Sequence, residues 1–330
     1  MKKYKKWIAM GVIGFLIFLG FFTGYILQRQ KSSTPLSLIY IPKTEDGTSD
    51  FWSSLISGAR MAASEYGVQL EVMAPKNEQD VKGQISLLKK AIEQNPDGIL
   101  FSTSSSSAAN EDLKKAKEKG ICITYIDSCT SEELQDLTVA TDNVEAGRRL
   151  GEYARTIVGK DDKIAVISHV KGVSTAVERE QGFREGLGDY EKNIVEVVYC
   201  NSLFDRSYKL AKELMEKYPD LKMIAGMNEY SSVGAARAVK EAEAKDRIAT
   251  VGIDSSQEAV QLMEQGVFKA FVVQKAFKMG YLGVKETILH LEGKKEEKNI
   301  DSGCELITPE NMYNSEMEKL LFPFNTKKNT

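Results

Sequence analysis

The stretch Ala249-Thr250-Val251-Gly252-Ile253-Asp254-Ser255-Ser256 joins an apolar, β-rich run directly to a carboxylate and two hydroxyls. Such a pattern is typical of a buried parallel strand whose carboxyl end carries polar side chains. Residues 257–266 then show helical spacing of apolar positions and end in Gly266. The segment therefore predicts a strand followed by a helix, with Asp254 at the junction.

The same arrangement recurs after three other apolar runs. Ser102 follows the run at 99–101, Asp127 follows the run at 123–126, and Asn228 follows the run at 223–227. In open α/β sheets, ligands bind outside the carboxyl ends of the strands, so these side chains are candidates for one binding crevice. Each of them is also a suitable N-cap for the helix that follows. The sequence leaves both interpretations open.

Strand and helix patterns alternate along most of the chain. In the first part, predicted strands at 36–41, 68–73, 98–101 and 121–126 are separated by helices long enough for parallel crossovers. The rhythm breaks at 137–143, where a strand arrives without a preceding helix, and then resumes up to the strand at 268–274. The pattern predicts two doubly wound, Rossmann-like α/β domains joined by closely spaced chain crossings, because no long linker separates them.

The amino-terminal residues predict a transmembrane helix. No charged residue occurs from Trp7 to Leu27, a run that spans about 30 Å as a helix. Four lysines precede it, so residues 1–35 are expected to form a cytoplasmic stub, an anchor and a tether, with the remainder exported. A cleaved signal peptide is the alternative. The run is longer than the usual apolar core of such peptides and lacks a clear A-x-A site.

Composition excludes several classes of function. The 330 residues carry a net charge of -3, which does not favour nucleic-acid binding. The four cysteines lack metal-type spacing, and the chain contains no P-loop, G-x-S-x-G or H-E-x-x-H motif. No enzyme, cofactor or metal is therefore predicted. Asp127 and Asp254 as an acid–base pair remain the only enzymatic interpretation.

Several short pieces, taken in order, resemble the periplasmic ribose- and galactose-binding proteins. These are class I solute-binding proteins of sugar ABC transporters, in which two α/β domains close on a sugar. Singly the pieces are weak, but their order along residues 37–308 is specific. They are Asp50-Phe51-Trp52, Asp127, Thr141-Asp142-Asn143, Glu178-Arg179-Glu180-Gln181-Gly182-Phe183, Phe204-Asp205-Arg206, Met227-Asn228-Glu229, Val251-Gly252-Ile253-Asp254 and Gln274.

The resemblance implies a role for each matching residue. Aromatic side chains would bury the apolar faces of a sugar ring, with Phe51 and Trp52 on one face and Phe204 on the other. Polar side chains would bind the hydroxyl groups, which would otherwise be buried without partners. This second set is Asp127, Arg179, Asn228, Asp254 and Gln274. Structural roles remain alternatives, chiefly core packing for Phe51.

Three positions depart from the pattern of the ribose binders. Ser49, Ser102 and Ser128 stand where those proteins place Asn, Asn and Arg. Shorter side chains leave more room and remove a positive charge. The departures imply a ligand larger than free ribose, or water molecules that bridge to it.

The resemblance also implies a hinge of three crossings, near Thr141, Gln274 and Asp301. The first domain would comprise residues 36–141 plus 275–300, and the second 142–274 plus 301–330. Cys129 and Cys304 lie close in sequence to two crossings, so they are a candidate disulfide on the exported side.

The function implied is a membrane-anchored extracytoplasmic protein that closes on a carbohydrate and presents it to an ABC permease. The alternative is a sugar sensor subunit that signals to a histidine kinase or chemoreceptor. Sugar-responsive repressors share the fold, but the predicted membrane helix occupies the place of their DNA-reading segment.

Overall fold

The computed structural model describes residues 35–45, 47, 49–294 and 297–322. The predicted membrane anchor at residues 7–27 lies outside this part of the chain. Within it, no helix is both long and apolar enough to cross a membrane.

The first of two sheets is parallel throughout and has six strands. They are β1 (Ser37–Ile41), β2 (Gln69–Val72), β3 (Gly98–Phe101), β4 (Cys122–Ile126), β5 (Leu137–Ala140) and β11 (Asn299–Asp301). Their order across the sheet is β11-β5-β4-β3-β1-β2. Every residue of β3 and β4 is buried, as expected for strands covered by helices on both faces.

The second sheet also has six strands, and its last strand runs antiparallel to the others. They are β6 (Lys163–Ser168), β7 (Ile194–Tyr199), β8 (Leu221–Gly226), β9 (Ala249–Ile253), β10 (Phe268–Gln274) and β12 (Cys304–Ile307). The order is β12-β10-β9-β8-β6-β7. Each sheet with its helices is called a lobe below, the first lobe being the one that contains β1.

Helices cover both faces of the sheets. Those of the first lobe are α1 (Asp50–Tyr66), α2 (Val81–Glu93), α3 (Asn110–Glu118) and α9 (Ala276–Leu291). Those of the second lobe are α4 (Asn143–Ile157), α5 (Ser174–Leu187), α6 (Phe204–Lys217), α7 (Glu229–Glu241), α8 (Gln257–Glu264) and α10 (Ser315–Leu321). A 3₁₀ turn at Gly188–Asn193 follows α5.

Local sequence explains where several helices begin and end. The Ser49 side chain accepts a hydrogen bond from the backbone N–H of Trp52 and so caps α1, which ends at Gly67 with a φ of 66°. Asp142 caps α4, and Ser256 caps α8, in the same way. Polar side chains in the loops after the strands thus start these helices.

The chain passes between the lobes three times, from β5 to α4, from β10 to α9 and from β11 to β12. The crossings are hydrogen-bonded to one another: Ser302 N donates to Ala140 O at 2.8 Å, and Lys275 N donates to Gly303 O at 3.1 Å. Gly303 has a φ of 85°, a conformation that favours glycine. The three crossings therefore form one connected hinge between two α/β lobes, as predicted.

The predicted Cys129–Cys304 disulfide is wrong, because all four cysteines are free thiols. Cys129 packs against an apolar cluster of the first lobe that includes Leu88 and Leu113, whereas Cys304 belongs to a cluster of the second lobe with Leu150. Burial raises the pKa of both thiols to about 11. The two side chains serve as small apolar residues in separate cores.

Candidate functional site

The carboxyl ends of both sheets face a cleft between the lobes. The first lobe contributes Lys43, Ser49, Phe51, Trp52, Glu78 and Asp127; the second contributes His169, Thr175, Arg179, Asn228, Glu229, Tyr230, Asp254 and Gln274. The cleft holds a cavity of only about 20 Å³, room for roughly one water molecule. The lobes are therefore closed on each other in this conformation.

Two aspartates stand at equivalent strand ends, one in each lobe. Asp127 follows β4 with a φ of 68°, and Asp254 follows β9 with a φ of 71°. Left-handed backbone in a residue other than glycine costs on the order of 1 kcal/mol, although Asp tolerates it better than most. This conformation accompanies the turn that leaves each carboxylate in the cleft instead of within the sheet.

Arg179 on α5 lies between these aspartates and is almost wholly buried, at 3% exposure. Its guanidinium lies 3.9 Å from Asp127 Oδ1 and 3.9 Å from Asp254 Oδ2. Arg179 also donates to Asn143 Oδ1 at 2.8 Å and to the carbonyl of Met227 at 3.0 Å. These bonds fix the side chain in one orientation. The protein therefore determines where its remaining N–H groups point.

Asp254 and its neighbours form a connected polar group in the second lobe. Gln274 Nε2 donates to Asp254 Oδ1 at 2.7 Å, and Glu229 N donates to Asp254 Oδ2 at 3.1 Å. Burial raises the pKa of Asp254, while the charge of Arg179 opposes that shift. Asn228, next in the chain to Glu229, uses its side chain to cap α7 through Ser231.

The first lobe contributes a cation and an aromatic pair. Lys43 Nζ lies 3.0 Å from Asp127 Oδ2 and 5.6 Å from the centre of the Trp52 ring. Phe51 and Trp52 pack edge to face, with ring centres 5.0 Å apart. Trp52 Nε1 donates to Glu78 Oε1 at 2.6 Å, and burial raises the pKa of that glutamate. The indole orientation is thus set by a hydrogen bond as well as by packing.

Glu229 joins the two lobes at one side of the cleft. Ser49 Oγ of the first lobe donates to Glu229 Oε2 at 2.6 Å, and the backbone N–H of Asp50 donates to Oε1 at 3.3 Å. Burial raises the pKa of Glu229 to about 8 in spite of these donors, and nearby Asp254 adds to the rise. The carboxyl group is therefore mostly protonated at neutral pH.

His169 completes the second-lobe wall as a neutral imidazole. Burial and the charges of Arg179 and Lys43 lower its pKa well below the usual value. His169 Nε2 shares a hydrogen bond of 2.9 Å with Thr175 Oγ1, while Nδ1 has no hydrogen-bond partner in the described part of the chain. The ring therefore presents one uncommitted nitrogen in a buried setting.

Seven of the ten predicted site residues line this cleft: Phe51, Trp52, Asp127, Arg179, Asn228, Asp254 and Gln274. Three do not. Ser102 is fully buried and shares a hydrogen bond of 3.0 Å with the Tyr40 hydroxyl, and Ser128 Oγ donates to the carbonyl of Thr103.

The structure also places Phe204 away from the cleft. Its ring packs on Tyr230, with ring centres 4.7 Å apart, and the Arg237 guanidinium lies 5.0 Å from the ring centre. Phe204 lines a separate surface cavity, and Tyr230 lies between it and the cleft. Tyr230, not Phe204, is the aromatic ring that the second lobe contributes to the cleft.

Sequence reasoning missed Lys43, Glu78, His169, Thr175, Glu229 and Tyr230. Glu229 and Tyr230 directly follow the predicted strand end at Asn228, so that signal was present. Lys43 comes two residues after β1, and Glu78 lies in the loop after β2. Nothing in their local sequence distinguishes them from surface charges, because only the closed fold buries them.

Comparisons with known proteins agree with this geometry. The ribose import binding protein of Bacillus subtilis is 27% identical over 260 residues, which cover 78% of this chain and 83% of that protein. A solved sugar transporter from Clostridium phytofermentans is 44% identical with a TM-score of 0.78, covering 83% of this chain and 99% of that one. A solute-binding protein of Agrobacterium vitis with bound D-fucose is 29% identical with a TM-score of 0.80, covering 86% and 99%.

The family is defined by a domain model as well as by single relatives. The model described as a periplasmic binding protein domain matches residues 40–295, which include most of both lobes and every cleft residue named above. Two lobes, three crossings and a polar cleft at the strand ends are thus found together in a chain with this match. The protein belongs to the periplasmic binding protein family, whose members bind solutes and are not enzymes.

Proposed function

We propose that this protein binds a carbohydrate between its two lobes, outside the cytoplasm, and presents it to an ABC permease. The observation that carries the proposal is the convergence of charged and amide side chains from both lobes on one buried cleft beside an aromatic pair. Carbohydrates need this combination, because their rings have apolar faces and hydroxyl edges. The names of the relatives, which refer to ribose import and to bound D-fucose, support it.

The polar groups suit hydroxyl recognition. Arg179 and Lys43 supply donors, Asp127 and Asp254 supply acceptors, and all four side chains are at most about 6% exposed. A hydroxyl group both donates and accepts, so it can bridge an arginine to a carboxylate. Buried charged partners also make recognition strict, because a ligand that lacks one hydroxyl leaves a charged group unpaired.

Closure of the two lobes would signal to the permease that a ligand is bound. The cavity of about 20 Å³ is too small for a sugar, so a ligand enters only when the hinge opens and the cleft residues separate. A sugar that touches both lobes then favours closure of the lobes around it, because it binds such a closed form more tightly than the open one. A permease distinguishes the loaded protein from the empty one by this change of shape.

Membrane attachment is part of the proposal. The charge-free run at residues 7–27, preceded by four lysines, supports a single uncleaved helix with the lobes on the extracytoplasmic face. Tethering would hold the binding protein near its permease and raise its local concentration there.

Calorimetry tests the binding function directly. The full-length chain in mild detergent is titrated with a panel of pentoses and hexoses, and at least one should produce a saturable heat. Trp52→Ala and Asp254→Ala should each lower the affinity for that sugar by at least about 100-fold, because each removes a buried side chain that would contact it. Circular dichroism checks that both variants remain folded.

A matched control uses a carboxylate far from the cleft. Asp220 is exposed and pairs with Lys163, so Asp220→Ala should leave the sugar affinity within about twofold. An unchanged affinity in both Trp52→Ala and Asp254→Ala, or the absence of heat with every sugar, would refute the proposed site.

A further inference from the structure

A second cavity lies directly beside the closed cleft. Its volume is about 360 Å³, and it shares Phe51, Asp254 and Gln274 with the cleft. Both lobes form it, and Asp50 Oδ2 of the first lobe accepts a hydrogen bond of 3.0 Å from Gln257 N of the second. Both lobes therefore bound the cavity, and in this conformation it has room for a ring-sized group.

The lining of this cavity combines two kinds of chemistry. Asp50, Ser53 and Ser256 contribute a carboxylate and hydroxyls from the starts of α1 and α8. Leu320, Leu321 and Phe322, at the end of α10, contribute apolar side chains that are partly buried against the second-lobe core. A sugar ring needs both kinds of partner, for its hydroxyl edge and for its C–H face.

Gln274 marks the junction between the cleft and this cavity. The residue is 4% exposed, and its Nε2 is engaged by Asp254. Its Oε1 has no hydrogen-bond partner in the described part of the chain. A buried amide oxygen without a donor costs free energy, and a hydroxyl group of a bound ligand at this point would satisfy it.

We propose that the ligand is a carbohydrate of at least two sugar units. One unit is held in the cleft, after the hinge has opened enough to admit it, and the next lies in the cavity formed by α1, α8 and α10. This inference rests on the proposed function and narrows its ligand class. The linkage between the units passes Gln274, where Oε1 accepts a hydroxyl hydrogen bond.

The test compares disaccharides with their constituent monosaccharides by calorimetry, again with the full-length chain. The probes are D-ribose, D-arabinose, D-xylose, D-glucose and D-galactose, together with xylobiose, cellobiose, maltose, lactose and melibiose. We expect at least one disaccharide to bind about tenfold or more tighter than either of its constituents.

A filling variant then locates the second unit. Ser53 is exposed and lines the cavity, so Ser53→Trp should occupy it and remove the tenfold advantage, while monosaccharide affinity stays within about twofold. Ser57→Trp, one turn further along α1 and outside the cavity, is the matched control and should keep the advantage.

Three results separate the outcomes. If monosaccharides bind but no disaccharide binds tighter, the two-unit ligand is overturned and the proposed function stands. If Ser53→Trp leaves the disaccharide advantage intact, the second unit lies elsewhere and the inference is also overturned. If no probe of either kind produces heat, the proposed function itself has failed.

Discussion

Glu229 is a buried carboxyl group at the contact between the lobes, and its environment makes it sensitive to pH. Desolvation raises its pKa to about 8, against an ordinary value of 4.5. The facing acidic groups are Asp254 and Asp50, and the facing donors are Ser49 and two backbone N–H groups. Closing the cleft therefore favours the protonated form of Glu229.

The sign of the pH effect follows from that shift. Between about pH 4.5 and 8 the folded, closed state keeps a proton that the unfolded state has released, so stability falls as pH rises. We expect the free energy of unfolding to decrease by up to about 1.4 kcal/mol per pH unit in this window from this group alone. Urea titrations at pH 5, 6, 7 and 8 measure the slope.

The variant Glu229→Gln isolates the contribution. It keeps the size and removes the titration, so its slope should be shallower than that of the original chain. The remaining slope comes from Asp254 and Glu78, whose pKa values are also raised, and it is opposed below about pH 6.5 by His169, whose pKa is lowered well below its usual value of 6.5. Equal slopes for the two proteins would show that Glu229 is already ionised in the closed state.

For single residues, the sequence pattern predicts membership of the site only where the position in a strand or helix determines which way the side chain points. Asp127 and Asp254 could be predicted because each ends a buried strand. Phe204 was expected to cover the sugar, but it begins α6 and packs on Tyr230 and Arg237. A single sequence does not reveal which of the two aromatic residues, Phe204 or Tyr230, points towards the cleft.

Helix packing in the first lobe depends on one close backbone contact between α1 and α9. A Cβ added at Gly280 would lie 1.9 Å from the carbonyl oxygen of Leu55, and Gly58 makes the reciprocal approach to Phe277. These distances are far below any normal contact, so the backbones touch only because neither position has a side chain.

We expect Gly280→Ala to destabilise the protein by about 1–3 kcal/mol. Helix propensity alone would stabilise it by about 1 kcal/mol, so the sign of the result separates steric overlap from propensity. Gly159→Ala is the control, because its Cβ would meet only the side chain of Asp162, at 3.3 Å, and no backbone atom. Denaturant unfolding of the control should stay within about 0.5 kcal/mol of the original chain. A Gly280→Ala protein as stable as the control would contradict the tight contact.

Helix starts were the least predictable elements. The sequence pattern on its own predicts that these two helices begin at Glu180 and Gly280, but the structure begins α5 at Ser174 and α9 at Ala276. In α5 the first turn reads as a polar loop, and Val177 there is exposed instead of facing the core. The short strand β11 was not predicted either. It has three residues, and only its pairing with β5 defines it.

The balance between open and closed forms depends on contacts outside the cleft as well as within it. Gln79 of the first lobe is exposed and donates through Nε2 to the carbonyl of Asn201 in the second lobe at 2.6 Å. Gln79 does not line the cleft. The bond therefore stabilises the closed form without touching a ligand there.

Removing this bond should shift the whole molecule towards opening. We expect Gln79→Ala to weaken ligand affinity about two- to fivefold, since the closed form becomes less populated. Small-angle scattering of the unliganded variant should show a larger radius of gyration. Gln181→Ala removes a comparable bond within α5, to Glu185, and should change neither quantity. An effect of equal size in both variants would rule out a role in closure.

The three hydrogen-bonded crossings have a consequence for the resistance of the molecule to proteolysis. A protease that cuts the chain at one crossing leaves the lobes attached by the other two, and each sheet keeps all of its strands. The nicked molecule should elute as an intact particle in a native separation and fall apart only in denaturant.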